Sequence, residues 1–256
     1  MKPITKLHNK HKNKEMWVAG SDPTLSNYPD NFFDDKLSIT LHLAYLKFPN
    51  ATYHYFNERD RFIFLKEKDP NIVNKTNIFG YPFYNRSIPV SDEAIGKAEP
   101  KAYYLKRRSY PPNGNPGAIF SDAGPNAMRA MVSEAVKGVR MEYGGHGTCL
   151  HPCMYAAIMM GCNPINIIGC NFKNIGGKEH FGKSHDIDKK MRPGTPSFTG
   201  YRGTRMTRGL DAIIEGCKDN GIIVNRLEDY GKPALHINKE PKQASVPKKV
   251  SEFVKL

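Results

Sequence analysis

The chain has 256 residues and a formal net charge of +13, from 38 lysines and arginines against 25 acids. A hydrophobic content of 39% with 11% aromatics suffices to bury a core and excludes wholesale disorder, while 22 glycines and 19 prolines favour many turns over long bundled helices. No stretch approaches the roughly 20 apolar residues that cross a bilayer, and the basic start, Met1 to Lys14, lacks the apolar segment of a secretory signal.

A cytoplasmic protein is therefore expected. Cys149, Cys153, Cys162, Cys170 and Cys217 form no C-x-x-C pair and read as reduced thiols that mostly fill a core. Residues 1–14 hold five lysines and no acid, and residues 237–256 hold five lysines and two glutamates. Both ends (1–15 and 237–256) read as basic flexible tails suited to weak polyanion contact. They flank one α/β domain over 16–236. Within that domain the basic residues gather around Lys106, Arg107 and Arg108 and again from Lys183 to Arg208, either as a rim for a phosphate-bearing ligand or as solvated surface.

In chain order, Met16 to Gly20 (MWVAG) reads as a buried strand meeting a turn. Lys36 to Ala44 and Thr52 to Asn57 are β-branched and aromatic and read as the next strands, with Asn77 to Tyr81 another. Residues 85–125 are rich in Pro, Gly, Tyr and Arg without a sustained period, as in a long insertion that folds over a site like a lid. Ala127, Met131, Ala135 and Val139 recur at helical spacing and predict a helix from Asn126 to Arg140. A second, apolar helix is predicted from Leu150 to Gly161, with Pro152 in its first turn. Ile165 to Asn171 reads as a strand buried on both faces, Thr204 to Cys217 as a helix and Ile222 to Leu227 as a last strand. This alternation predicts a single Rossmann-like, doubly wound, mostly parallel sheet, whose ligands bind beyond the carboxyl ends of the strands.

Three turns fall at that edge. In Gly20-Ser-Asp-Pro-Thr-Leu25 the glycine lets backbone amides approach an anion and Ser21 and Thr24 add hydroxyls, although the same pattern also makes an ordinary turn. Tyr143-Gly-Gly-His-Gly-Thr148 frees the backbone ahead of a helix N-terminus. Lys178 to His185 sets His180 and His185 in a polar loop, where imidazoles suit general-base work or phosphate contact. His146, Cys149, His151 and Cys153 do not have the paired spacing of a zinc site. Neither a P-loop, nor G-x-G-x-x-G, nor a nucleophile elbow occurs.

Val18-Ala-Gly-Ser-Asp-Pro-Thr-Leu25, Ile39 to Ala44, Tyr55-Phe-Asn57, Gly161 to Phe172 and Glu179-His180 together resemble the landmarks of one superfamily. It contains the bacterial CMP-sialic-acid-dependent sialyltransferases and the hydroxymethylpterin diphosphokinase-like proteins. The resemblance implies a transferase that moves a sugar from a nucleotide-activated donor, a CMP-linked one favoured, to an acceptor glycan or other hydroxyl compound, with no cofactor. It implies that Gly20, Ser21, Asp22, Thr24, His42, Asn57, Gly147, Thr148 and Asn171 line the nucleotide, and that His180 or His185 is the base. Tyr201, Arg202 and Arg205 would neutralise the leaving phosphate. The chain departs from the pattern at His42 (Asn in the family), Asn171 (Asp) and Asp22 (Gly). The sister activity, diphosphate transfer from ATP to a pterin-like alcohol, would require Mg²⁺ and carboxylates such as Asp22, Glu179 and Asp186. A basic nucleic-acid-associated protein without catalysis is the reading from a different class.

Overall fold

The computed structural model describes residues 2–84, 102–107, 125–139, 142–143, 148–172, 182, 186–187, 190, 201–229 and 232–233. Its ten strands are β1 (Lys2–Pro3), β2 (Met16–Ala19), β3 (Ser38–Leu41), β4 (Tyr53–Glu58), β5 (Asn77–Tyr84), β6 (Ala102–Arg107), β7 (Glu142–Tyr143), β8 (Ile165–Ile168), β9 (Val224–Asp229) and β10 (Lys232–Pro233). They join one sheet in the order β1-β6-β5-β4-β3-β2-β8-β9-β10, with β7 paired to β6. Every pairing is parallel except that of β9 with β10. The doubly wound, mostly parallel α/β fold is thus as expected.

Parallel strands are covered on both faces, so their side chains read as nearly continuous apolar runs. All four residues of β3 and of β8 are buried. Alternate residues serve opposite layers: Met16, Val18, Tyr55, Ile78, Ile165 and Ile167 enter one large cluster, while Ala19, Phe56, Phe79 and Ile168 enter two smaller ones on the other side. Three helices build the large cluster: α2 (Pro125–Val136), α3 (Leu150–Met159) and α4 (Tyr201–Asp219). Helix α3 is buried all round, which its apolar composition requires. Helix α4 is amphipathic and buries Met206, Leu210, Ile213 and Cys217, one face at helical spacing. Helix α1 (Arg59–Lys68) covers the opposite layer with Phe62 and Leu65.

Four expectations are corrected. The N-terminal segment is not a flexible tail: Ile4 and Leu7 are fully buried in the large cluster, and β1 pairs with β6. Residues 9–13 are then strapped across the end of α3, through Asn9 N–H to Met159 O (3.0 Å), His11 N–H to Met160 O (2.9 Å) and Asn13 N–H to Gly161 O (2.8 Å). The apolar pair Ile4 and Leu7 outweighs the surrounding lysines, whose charged ends stay in water; Lys2, Lys6, Lys10, Lys12 and Lys14 are all exposed. The second correction lies within residues 85–125, where Ala102–Arg107 is a strand of the sheet itself rather than part of a lid. Its partners β5 and β1 are distant in sequence, so no local signal marks it. Third, the strand predicted over Lys36 to Ala44 stops at Leu41, because His42 takes a left-handed backbone (φ 45°) and opens a 3₁₀ turn, His42–Leu46. Fourth, the helix predicted to Arg140 ends at Val136, leaving Val139 72% exposed. Apart from Ala102–Arg107 and Pro125, which opens α2, residues 85–125 lie outside the described residues, as does the C-terminal segment 237–256.

Candidate functional site at the sheet's carboxyl edge

From β2 the chain proceeds outward through β3, β4 and β5, and from β8 it proceeds outward in the other direction to β9. The crevice between the loops following β2 and β8 is therefore the topological switch point, where open α/β sheets take ligands. The register aligns Ala19 with Thr40 and with Ile168, and Leu41 with Tyr55. Gly20 and His42 consequently leave the sheet within about one residue of each other, while Asn57, still in β4, and Asn171, beyond β8, lie two residues further along their chains than the positions level with Gly20.

Gly20 is required for a different reason from the one the sequence offered. A Cβ there would stand 2.1 Å from Gly169 O and 2.3 Å from Cys170 Sγ, so the two switch-point loops touch backbone to backbone. Gly20 N–H donates to Ile168 O at 2.9 Å and Asp22 N–H to Gly169 O at 3.1 Å.

Asp22 is buried and acts as a clamp. Its Oδ1 accepts from Thr24 N–H at 2.9 Å and from the Thr24 hydroxyl, which caps the 3₁₀ turn Pro23–Asn27. Its Oδ2 accepts from Asn171 N–H at 2.5 Å, tying the loop after β8 to the loop after β2. Both carboxylate oxygens are spent on protein donors, and the Thr24 hydroxyl is spent on Asp22. These two residues thus shape the crevice. Ser21, partly exposed beside them, follows Gly20 in the same turn.

Asn57, one residue before the end of β4, is 6% exposed, with the Tyr55 hydroxyl 3.5 Å from its Oδ1. The Thr148 hydroxyl accepts from Leu150 N–H at 3.2 Å, and Pro152 supplies no N–H, so part of the first turn of α3 is already satisfied. His42 Nε2 lies 2.7 Å from Cys149 Sγ, which brings the start of α3 to the end of β3. Gly147, His180 and His185 lie outside the described residues. So do the side chains of Tyr201, Arg202 and Arg205, whose backbones form the first turns of α4.

Two residues near the crevice escaped the sequence reading. Cys149 reads in the sequence as a packed thiol, and nothing local marks it as the partner of a histidine 107 residues away. Arg226, on β9, donates from Nη2 at 3.3 Å to Cys170 O in the turn after the neighbouring β8. Burial pushes the Cys170 thiol up, the Asp22 carboxylate adds to that, and Arg226 pulls against both. Asp211 on α4 is likewise raised by burial, with Arg226 again opposing. Arg226 is thus a cation set at the switch point. Among the described residues no group of three or more His, Cys, Asp or Glu could hold a metal ion, and no helix is long and apolar enough to cross a membrane.

No family model matches the chain, and no curated relative matches it. Among solved structures, the chain is similar to the sialyltransferase CstII from Campylobacter jejuni in complex with a substrate analogue, cytidine-5'-monophosphate. The TM-score is 0.46 with 13% identity, covering 84% of this chain and 80% of that one.

Proposed function

We propose that the chain is a sialyltransferase-like glycosyltransferase, which moves a sugar from a nucleotide-activated donor, a CMP-linked one favoured, to an acceptor hydroxyl. The observation that supports this reading is the meeting of the Gly20 turn with Asn171 through Asp22 at the switch point, with His42, at the end of the neighbouring β3, against Cys149. The Gly20 turn, His42 and Asn171 are among the positions that resemble nucleotide-lining landmarks in the sequence. The backbone of Gly20 and Ser21 and the amides of Asn57 and Asn171 would hold the nucleoside. Tyr201, Arg202 and Arg205, with Gly147, would meet the phosphate. As the bond between sugar and phosphate oxygen breaks and that between sugar and acceptor oxygen forms, His180 takes the acceptor proton, with His185 the alternative base. Stabilising charge on the departing nucleotide is then a large part of the rate.

Diphosphate transfer fits the crevice less well. The Asp22 carboxylate it would use for Mg²⁺ is already engaged by three donors.

The test is thermal unfolding with CMP, UDP, GDP and ATP, each with and without Mg²⁺, because a nucleotide that binds only the folded state raises Tm. CMP compounds should raise it without metal, and His180→Ala should keep that shift while losing about 100-fold in turnover of a CMP-linked sugar. A shift with ATP and Mg²⁺ alone would replace this reading by the diphosphokinase one.

A further inference from the structure

Cys149 differs from the other four cysteines. Those four are buried; burial pushes the Cys162 and Cys217 thiols up to about 12 and drives Cys153 and Cys170 up as well. Cys149 is partly exposed and has an imidazole nitrogen, His42 Nε2, 2.7 Å from its sulfur. It also directly precedes the ten-residue helix α3, whose aligned peptide dipoles favour negative charge at that end. A thiol held against an imidazole across two elements is the arrangement that produces an activated sulfur nucleophile.

His42 is held in place by its own surroundings. Its ring packs edge-on to Tyr55 and Phe56, each 6.3 Å away between centroids. Among the described residues, the titratable groups about the pair are Tyr55 against His42, Cys153 on α3, Cys170 beyond β8 and, past it, Asp22 and Arg226.

We propose that Cys149 is a modification site, a nucleophilic thiol with His42 as its proton acceptor, which takes soft electrophiles and exchanges with low-molecular-weight disulfides. In the exchange the thiol proton passes to His42 and the sulfur attacks one sulfur of the small disulfide. A new S–S bond forms to Cys149, the original S–S bond breaks, and the departing thiolate takes the proton from His42. Cys149 is oxidised and the small disulfide reduced, so the step balances.

The experiment uses the reduced full-length protein, pulsed with iodoacetamide from about pH 6 to about pH 9 and read by peptide mass spectrometry, with free glutathione as the reference thiol. At pH 6 Cys149 should react about tenfold or more faster than glutathione, with the buried four silent. Oxidised glutathione should add one equivalent at Cys149, reversed by dithiothreitol. His42→Asn, chosen because Asn tolerates the left-handed backbone at this position, should slow the pH 6 reaction about tenfold. A rate that falls about tenfold per pH unit below pH 8, as for an ordinary thiol, overturns the proposal. A folded His42→Asn that reacts at the wild-type rate does so too. If that variant does not fold, the wild-type pH profile decides alone.

Discussion

Asp22 holds two loops with one carboxylate, and its removal should be felt well beyond its own turn. Hydrogen bonds to a charged group contribute about 1.5–3 kcal/mol each, less when several share one acceptor. Asp22→Ala should therefore cost about 2–4 kcal/mol in urea unfolding, and Asp22→Asn about half of that, since an amide oxygen can keep the Thr24 cap but not both loops. A loss under about 0.5 kcal/mol would mean that the loops hold together without the clamp. That Asp22 belongs to the turn after β2 was legible in the chain; its task was not. From the sequence, an acid in an anion-binding turn reads as facing ribose hydroxyls or a metal. Only the approach of Asn171 N–H from 149 residues away decides for the protein. The requirement for glycine at position 20 was likewise visible, while its cause, Gly169 O, was not.

At the scale of elements, strands and helices with strong apolar character follow from local sequence. Helix α3 begins at the predicted Leu150 with Pro152 in its first turn, and β2 begins at the predicted Met16. Elements whose stability is borrowed from distant partners are less visible. The N-terminal strap is one: its lysines dominate the composition, yet Ile4 and Leu7 anchor it. Leu7→Ala should lower stability by about 2–4 kcal/mol, whereas Lys6→Ala, at an exposed position, should stay within about 0.5 kcal/mol. Equal effects in chemical denaturation would return the segment to the status of a solvated tail. Residues 9–13 bind the end of α3 while Cys149 at its start meets His42, so the strap with its exposed lysines lies at the other end of α3 from the crevice.

For the whole molecule, His54 couples stability to pH. Its ring is buried under Tyr45, with Nδ1 2.6 Å from the Thr40 hydroxyl, and burial drives its pKa from 6.5 down to about 3. Between those values the unfolded chain binds a proton that the folded one refuses. The stability is therefore full above about pH 6.5 and is lost as pH falls toward 3. By pH 5 this amounts to about 2 kcal/mol, set by the unfolded pKa. His54→Gln should be less stable at pH 7 but should lose less on acidification, and the difference between the two unfolding curves measures the effect. Parallel curves from pH 7 to pH 5 would remove His54 as the source.

The sequence by itself determined the class of the molecule. Buried runs such as INII, glycine turns at strand ends and helices between strands leave a parallel α/β sheet as the way to bury that much apolar surface. The tertiary structure alone decided which turns meet. In a parallel sheet the neighbour of a strand is always distant along the chain, so loop contacts such as Gly20 with Gly169, Asp22 with Asn171 and His42 with Cys149 have no local signature.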